Sequence, residues 1–395
     1  MINTPFFDQL RGFGIFQEVS TSELFGDHRF NAGYFGDFTN LNVGRLYGEY
    51  QYLRRRVDFA VRYEREGIIS SSGQDDEGNA IQQRYFINKF LVSIAYPFTP
   101  SSRFSVSPAY ERTSFDDISL IAGAFDFSNN TINQNYFSFN TEFVVDNTYE
   151  KGLNQLQGSR MKLAFKNYMS LGDREESFAR LYLDARNYLK IHRGIVFATR
   201  LAGGKFLGKS KKNFLLGGMD NWLNQQTAND PLADFDESST EINERDQSGV
   251  LFQEYVTNLR GYDYNERNGN NAFVFNAELR IPLFQYLYNR PINSSVLRNF
   301  QLIGFSDAGT AWDGNGFNIN SDENLFETTN IDDAGTSDRI SAEVKRSRGS
   351  ILYSYGVGIR STLFGYFVKM DLAFPKKLIP EKQKPAFYIT FGYDF

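Results

Sequence analysis

The chain contains no cysteine and only two histidines, His28 and His192, among 395 residues. Without cysteine there is no disulfide framework, no thiolate nucleophile and no sulfur metal site. Two histidines far apart, with no His-Glu-x-x-His spacing, make a poor metal set, and both sit beside inferred turns. No metal and no cofactor is expected. Long apolar runs are also missing: nothing approaches the roughly 18 uncharged apolar residues of a membrane-crossing helix, and the mean hydropathy is −0.44. The net charge of −5 gives no sign of a nucleic-acid partner. The first residues, MINTPFFDQL, lack a basic segment followed by an apolar core, so no secretion signal is visible; the numbering is expected to start inside a longer precursor, or at a processed or engineered terminus.

What is abundant is aromatic residues, 39 Phe and 23 Tyr, set in short alternating segments. The last ten residues, AFYITFGYDF, place Phe387, Ile389, Phe391, Tyr393 and Phe395 on one face and mostly small or polar residues on the other. In 57–64 Val57, Phe59, Val61 and Tyr63 oppose Asp58, Arg62 and Glu64. In 272–281 Phe273, Phe275, Ala277, Leu279 and Ile281 oppose Asn276, Glu278 and Arg280. Fifteen such segments follow one another: 12–22, 28–38, 41–53, 57–66, 84–97, 103–113, 135–147, 160–168, 177–188, 194–203, 272–282, 300–311, 352–360, 366–374 and 386–395. A closed antiparallel barrel needs an even number, so a sixteenth is expected around residues 1–9 or upstream. The fold class is therefore all-β, an antiparallel barrel whose aromatic face meets lipid and whose polar face lines a wet interior. A large soluble β-protein alternates too, but with its polar face outward. The connections at 97–102 and 362–365 are short. Those at 67–83, 116–134, 204–269, 313–350 and 375–385 are long, as expected of outer loops. On that assignment 283–299 falls on the short-turn side and is long for a turn there.

Several motifs resolve to ordinary structure. GGKFLGKS, 203–210, matches a phosphate-binding loop in spacing, but it is followed by KKNFLLGG rather than an amphipathic helix, so a glycine-rich strand end is expected. No serine nucleophile elbow and no His-Ser-Asp set appear, and no enzyme activity is expected. The acidic stretch 230–246 carries Asp230, Asp234, Asp236, Glu237, Glu241, Glu244 and Asp246 against Arg245. It reads as a solvated outer loop, with cation or partner binding as the alternative.

The segment Leu259, Arg260, Gly261, Tyr262 closes the longest loop, directly before the strand that carries inward-facing Glu278; Asp307 follows on the next strand. An arginine fork pairing with inward carboxylates pins a loop inside a barrel. In this order of parts the chain resembles the carboxy-terminal barrel of the BamA/TamA superfamily, the bacterial surface-antigen barrels. The resemblance extends to LLGGMDNW (215–222), YGVGIR (355–360), YFVKMDLAFP (366–375) and the terminal FGYDF.

That resemblance implies sixteen strands in the cell outer membrane with the sixth outer loop folded inward, its Arg260–Gly261–Tyr262 tip docked on Glu278 and Asp307. It implies a weak lateral seam along Ala386, Tyr388, Thr390, Gly392 and Phe395, with Gly356 and Gly392 loosening local pairing and Phe395 serving as part of a carboxy-terminal insertion signal. The implied partners are outer-membrane lipid and lipopolysaccharide, client outer-membrane or secreted proteins, and periplasmic or lipoprotein subunits. The implied function is assembly or translocation of proteins by non-covalent templating of client strands; a passive channel or membrane anchor is the competing reading. Two departures stand out. Residues 223–258 separate the Gly-Gly element from the arginine tip, and no POTRA repeats occur in the chain, which points to a lost upstream domain.

Overall fold

A computed structural model describes residues 2–8, 12–36, 44–74, 80–117, 132–172, 177–224, 251–288, 290–317, 326–333, 340–347, 350–363, 365–376 and 384–392. The acidic stretch 230–246 and Phe395 lie outside the described residues. Sixteen strands form one antiparallel succession, each hydrogen-bonded to the next in chain order. They are β1 (Ile2–Asp8), β2 (Gly12–Ser22), β3 (His28–Gly36), β4 (Gly44–Tyr52), β5 (Asp58–Gln74), β6 (Ala80–Thr99), β7 (Ser102–Asp117) and β8 (Ile132–Asp146). The second half comprises β9 (Leu156–Ser170), β10 (Phe178–His192), β11 (Ile195–Gly208), β12 (Asn271–Ile281), β13 (Gln301–Trp312), β14 (Leu352–Leu363), β15 (Tyr366–Pro375) and β16 (Ala386–Phe391). Among the described residues no ladder joins β1 to β16. The expected first strand lies at Ile2–Asp8, inside the chain.

Alternation is plain on β11 to β14. On β5 Phe59, Val61 and Tyr63 are exposed while Glu64 is buried. On β13 Gln301, Ile303, Phe305, Asp307 and Gly309 are buried and Leu302 and Gly304 exposed, so Asp307 points inward. The outward residues form a continuous apolar belt that includes Phe90, Phe104, Phe137, Leu181, Phe275, Tyr355 and Phe387. Apolar side chains out and ion pairs in is the inverse of a soluble sandwich. The inner face of β4 to β9 carries Arg62 against Glu49 and Glu64, Lys166 3.0 Å from Glu111, and Lys162 2.9 Å from Glu142.

Several connections read as loops from the sequence are partly strand. Strands β5 and β6 continue their ladder through Gln74 and Ala80, so 67–83 is largely a hairpin rising from the sheet. Apolar alternation fades there while backbone pairing continues, which is why the pattern stops too early. Within 313–350 a separate hairpin pairs Phe326–Asp333 with Ile340–Ser347. The connection 283–299 holds two short helices, Leu283–Leu287 and Ser295–Arg298. GGKFLGKS is the end of β11: a side chain at Gly204 would meet the Phe214 ring at 2.9 Å, so that glycine admits a packed loop residue.

Candidate functional site: the inward loop and the last strand

Counting outer connections from β1, the one between β11 and β12 is the sixth. Its two described arms, 209–224 and 251–270, lie against the inner face of β12 to β16. Phe214–Leu216 pairs in parallel with Glu254–Val256 and antiparallel with Arg267–Gly269. Leu259 N–H donates to Gly218 O at 3.0 Å and Gly218 N–H to Tyr262 O at 3.2 Å. The residues separating the Gly-Gly element from the tip therefore do not pull the two apart. Both glycines are required by backbone geometry: Gly217 has φ +132° and Gly218 φ +72°, and a side chain on Gly217 would lie 2.0 Å from Asp263 O.

The structure brings Arg260, Glu278 and Asp307 together. Arg260 Nε and Nη2 donate to the two Asp307 oxygens at 2.6 and 2.8 Å, and Nη1 donates to Glu278 Oε1 at 2.8 Å. All three side chains are 0–1% exposed. This is the fork geometry that arginine alone supplies. Burial opposes the charge on Arg260, but the carboxylates of Asp307 and Glu278 override it and hold the guanidinium well above its ordinary pKa. Asp307 also accepts from Asn276 Nδ2 at 2.8 Å, and Glu278 accepts from Arg280 Nε at 3.0 Å, so each carboxylate is doubly satisfied. Adjacent inward positions across β12 and β13 create the pocket, since Asn276 opposes Asp307 and Glu278 opposes Phe305 in register.

Gly261 N–H donates to the Tyr388 hydroxyl at 2.6 Å, and Tyr388 donates to Tyr262 O at 3.3 Å. The Tyr262 hydroxyl reaches Tyr353 O at 2.9 Å; burial pushes this phenol up to about 12, so it stays a neutral donor at physiological pH. Tyr388 and Thr390 point inward and are buried, Ala386 is the first residue of β16 paired with β15, and Gly392 turns to φ +100° as the ladder ends.

Sequence alternation did not single out four further contributors. Asp371 lies 3.9 Å from Arg260 and is forked by Arg360 at 2.8 and 3.1 Å. Its inward phase on β15 was a usable signal. Phe305 lies face-on beneath the guanidinium, 3.6 Å from its ring centre. A side chain at Gly356 would strike that ring at 2.4 Å, so Gly356 makes room for the platform rather than simply loosening the strand. Arg200 donates from the wall to Thr257 O at 2.8 Å while paired with Asp184. Phe252, at φ +66°, packs among Tyr136, Tyr168 and Phe178. Replacing Arg200 with Ala leaves Thr257 O without this charged donor, and about 1–3 kcal/mol of local docking is expected to go. Amide exchange at 254–258 would speed up accordingly, whereas unchanged exchange would show that the wall arginine does not hold this arm.

The comparisons agree with this architecture. The Omp85 superfamily domain matches residues 30–395. No curated protein matches the chain by sequence. Among solved structures, BamA from Haemophilus ducreyi lacking POTRA domains 1–3 aligns with a TM-score of 0.58 and 13% identity, over 96% of this chain and 67% of that one. CdiB from Acinetobacter baumannii gives 0.52 and 11%, over 98% and 57%. CdiB from Escherichia coli gives 0.51 and 11%, over 97% and 60%. The chain thus spans between 57% and 67% of the length of these structures. With the family domain covering nearly all of its length and a lipid-type belt around an antiparallel sheet, the chain belongs to the Omp85 superfamily of outer-membrane β-barrels.

Proposed function

We propose that this protein assembles or translocates polypeptides at the outer membrane, without covalent chemistry, by offering the edge between its first and last strands to a client strand. The observation that carries this reading is the edge itself: β1 and β16 share no ladder among the described residues, although the other fifteen neighbouring pairs do. Backbone groups in lipid must be satisfied, so such an edge accepts a strand readily. Main-chain pairing gives affinity to any extended segment of suitable length. On this reading residues 1–395 are one barrel, with 204–269 and 313–350 as loops on its outer side. Arg260, Gly261, Tyr262, Glu278 and Asp307 anchor the inward loop. Ala386, Tyr388, Thr390, Gly392 and Phe395 line the seam. Lipid and lipopolysaccharide surround the belt, and clients and periplasmic or lipoprotein subunits are the protein partners.

A second reading, a passive channel, draws on a different part of the molecule. A cavity of about 750 Å³ on the inner face is lined by charged side chains, among them Arg45, Arg62, Glu64, Lys89, Glu142 and Lys162. Reconstitution into liposomes separates the two. With the first reading, a urea-denatured outer-membrane barrel added from outside folds several-fold faster than with empty liposomes, scored by its gel mobility shift. Folding no faster than with empty liposomes, together with a large steady conductance in planar bilayers, would replace templating by the channel.

A further inference from the structure

The two edges of β16 are used differently. Gly392 N–H donates to Phe367 O at 3.0 Å, so the even-numbered backbone groups of this strand face β15. Those of Phe387, Ile389 and Phe391 face away, toward the position a strand completing the barrel would take. They are engaged by the sixth loop. Leu223 N–H donates to Ile389 O at 2.9 Å, and Ile389 N–H donates to Asn224 Oδ1 at 2.7 Å. Asn221 Nδ2 donates to Phe391 O at 2.7 Å and Asn224 Nδ2 to Phe387 O at 2.8 Å.

Three of these four bonds come from asparagine amides, the side-chain groups closest in chemistry to a peptide unit. The loop thus imitates a strand where its own backbone departs from one. It does so antiparallel, with Trp222 bridged to Thr390. The Trp222 ring is nearly buried, 4.5 Å from the Tyr388 ring and 5.7 Å from Tyr264. Tyr388 is also the residue whose hydroxyl receives Gly261 N–H, so the wall of this indole pocket touches the arginine tip.

We propose that the outward edge of β16 is a binding site for an antiparallel strand carrying a large aromatic residue opposite Thr390, and that Asn221, Trp222, Leu223 and Asn224 are its resident, displaceable occupant. The proposal rests on the templating reading and deepens it by naming the class of segment admitted. The occupant and any incoming strand, β1 or a client's, need the same backbone groups of Phe387, Ile389 and Phe391, so they exclude one another. The unequal anchoring of the loop fits displacement. Its tip is held by a buried charged fork, whereas its contact with the edge is four residues long and largely made by neutral amide side chains.

The absence of cysteine permits a direct test. One step from the Trp222–Thr390 bridge, Leu223 opposes Ile389, and directly opposed residues in an antiparallel pair lie within disulfide range. The full chain would be prepared as wild type, as Leu223→Cys/Ile389→Cys, and as Asn221→Ala/Trp222→Ala/Asn224→Ala. Each is titrated by fluorescence polarisation with a labelled peptide of sequence GMDNWLNQ, residues 218–225, and with its Trp→Ala version. The triple variant is expected to bind the Trp peptide at least about tenfold more tightly than wild type, where the tethered copy competes at roughly millimolar effective concentration. The Ala peptide should bind about tenfold more weakly than the Trp peptide, having lost the aromatic contact. Excess Trp peptide should slow disulfide formation in the double-cysteine protein, and this readout stands alone if the triple variant does not fold. Equal binding by wild type and triple variant, equal binding of the two peptides, or a disulfide rate indifferent to peptide would overturn the proposal. Client folding in liposomes by the reduced double-cysteine protein is scored separately. Its absence strikes the templating reading and leaves the peptide site standing.

Discussion

Arg260→Ala is expected to destabilise the docked sixth loop by about 3–5 kcal/mol, the range found when one partner of a buried ion pair is removed. The reason lies in what remains. Asp307 and Glu278 would be left buried, 0% and 1% exposed, with three donated hydrogen bonds gone and Phe305 uncovered. Asn276 and Arg280 still donate to the two carboxylates, but neither replaces a fork that bridged them. Hydrogen exchange should accelerate by about two to four orders of magnitude at 256–264 if this region opens locally, and the thermal loss of compact gel mobility should begin earlier. Arg260→Lys keeps the charge but not the five-donor plane, and should fall between the two. The double variant Arg260→Ala/Asp307→Asn should be less damaged than the sum of the singles, because the second change removes the charge that the first exposed. Exchange unchanged in Arg260→Ala would remove the tip from its assigned role, and unchanged client folding would separate docking from function.

Gly217→Ala is the second large effect. The glycine sits at φ +132°, outside the region open to residues with a side chain, and the added methyl would meet Asp263 O at 2.0 Å. That oxygen belongs to the backbone one residue past the tip, so it cannot yield without shifting Tyr262 and Tyr264. Tyr264 in turn donates its hydroxyl to Met219 O. A loss of about 2–4 kcal/mol is expected, as for other strained or overpacked backbone sites. It should appear as proteolytic cleavage in 251–269 while the mobility of the folded barrel persists. Gly314→Ala also lies at positive φ, +90°, but meets nothing within 4 Å, and makes the matched control for conformational strain alone. If the two variants are cleaved alike, the clash with Asp263 carries no weight.

The assigned roles and the contacts differ in how far they could be read from the chain. Strand order and the inward phase of Glu278 follow from alternation, because a two-residue period can be counted locally; the first strand follows only from even strand number, which leaves residues 1–9 and an upstream segment equally open. The meeting of Arg260 with Glu278 and Asp307 needed the order of parts as well, since a single arginine in a loop specifies no partner. Phe305 gave no sign of its role. It is one of 39 phenylalanines, and only its register opposite Glu278 and Gly356 places it beneath a guanidinium. Gly356 was visible, but the ring it accommodates was not. The strand ends near Gln74 and Ala80 escaped because hydrogen-bonded backbone continues where the apolar signal has stopped.

What the sequence by itself determined is the two-faced sheet: aromatic belt outside, charges inside, fifteen alternating segments in succession with a sixteenth required by even strand number, and a long loop carrying an arginine tip. These are properties of neighbours along the chain, set by side-chain period and by the exclusion of charge from lipid. Only the tertiary structure decided that Phe305 lies beneath the Arg260 guanidinium, that Tyr388 joins the tip to the last strand, and that Asn221 and Asn224 sit on the outward edge of β16. Those contacts reach as far as 170 residues along the chain, Asn221 to Phe391. Over such separations the partners are chosen by register and by the path of the returning loop, and a local pattern holds no record of either.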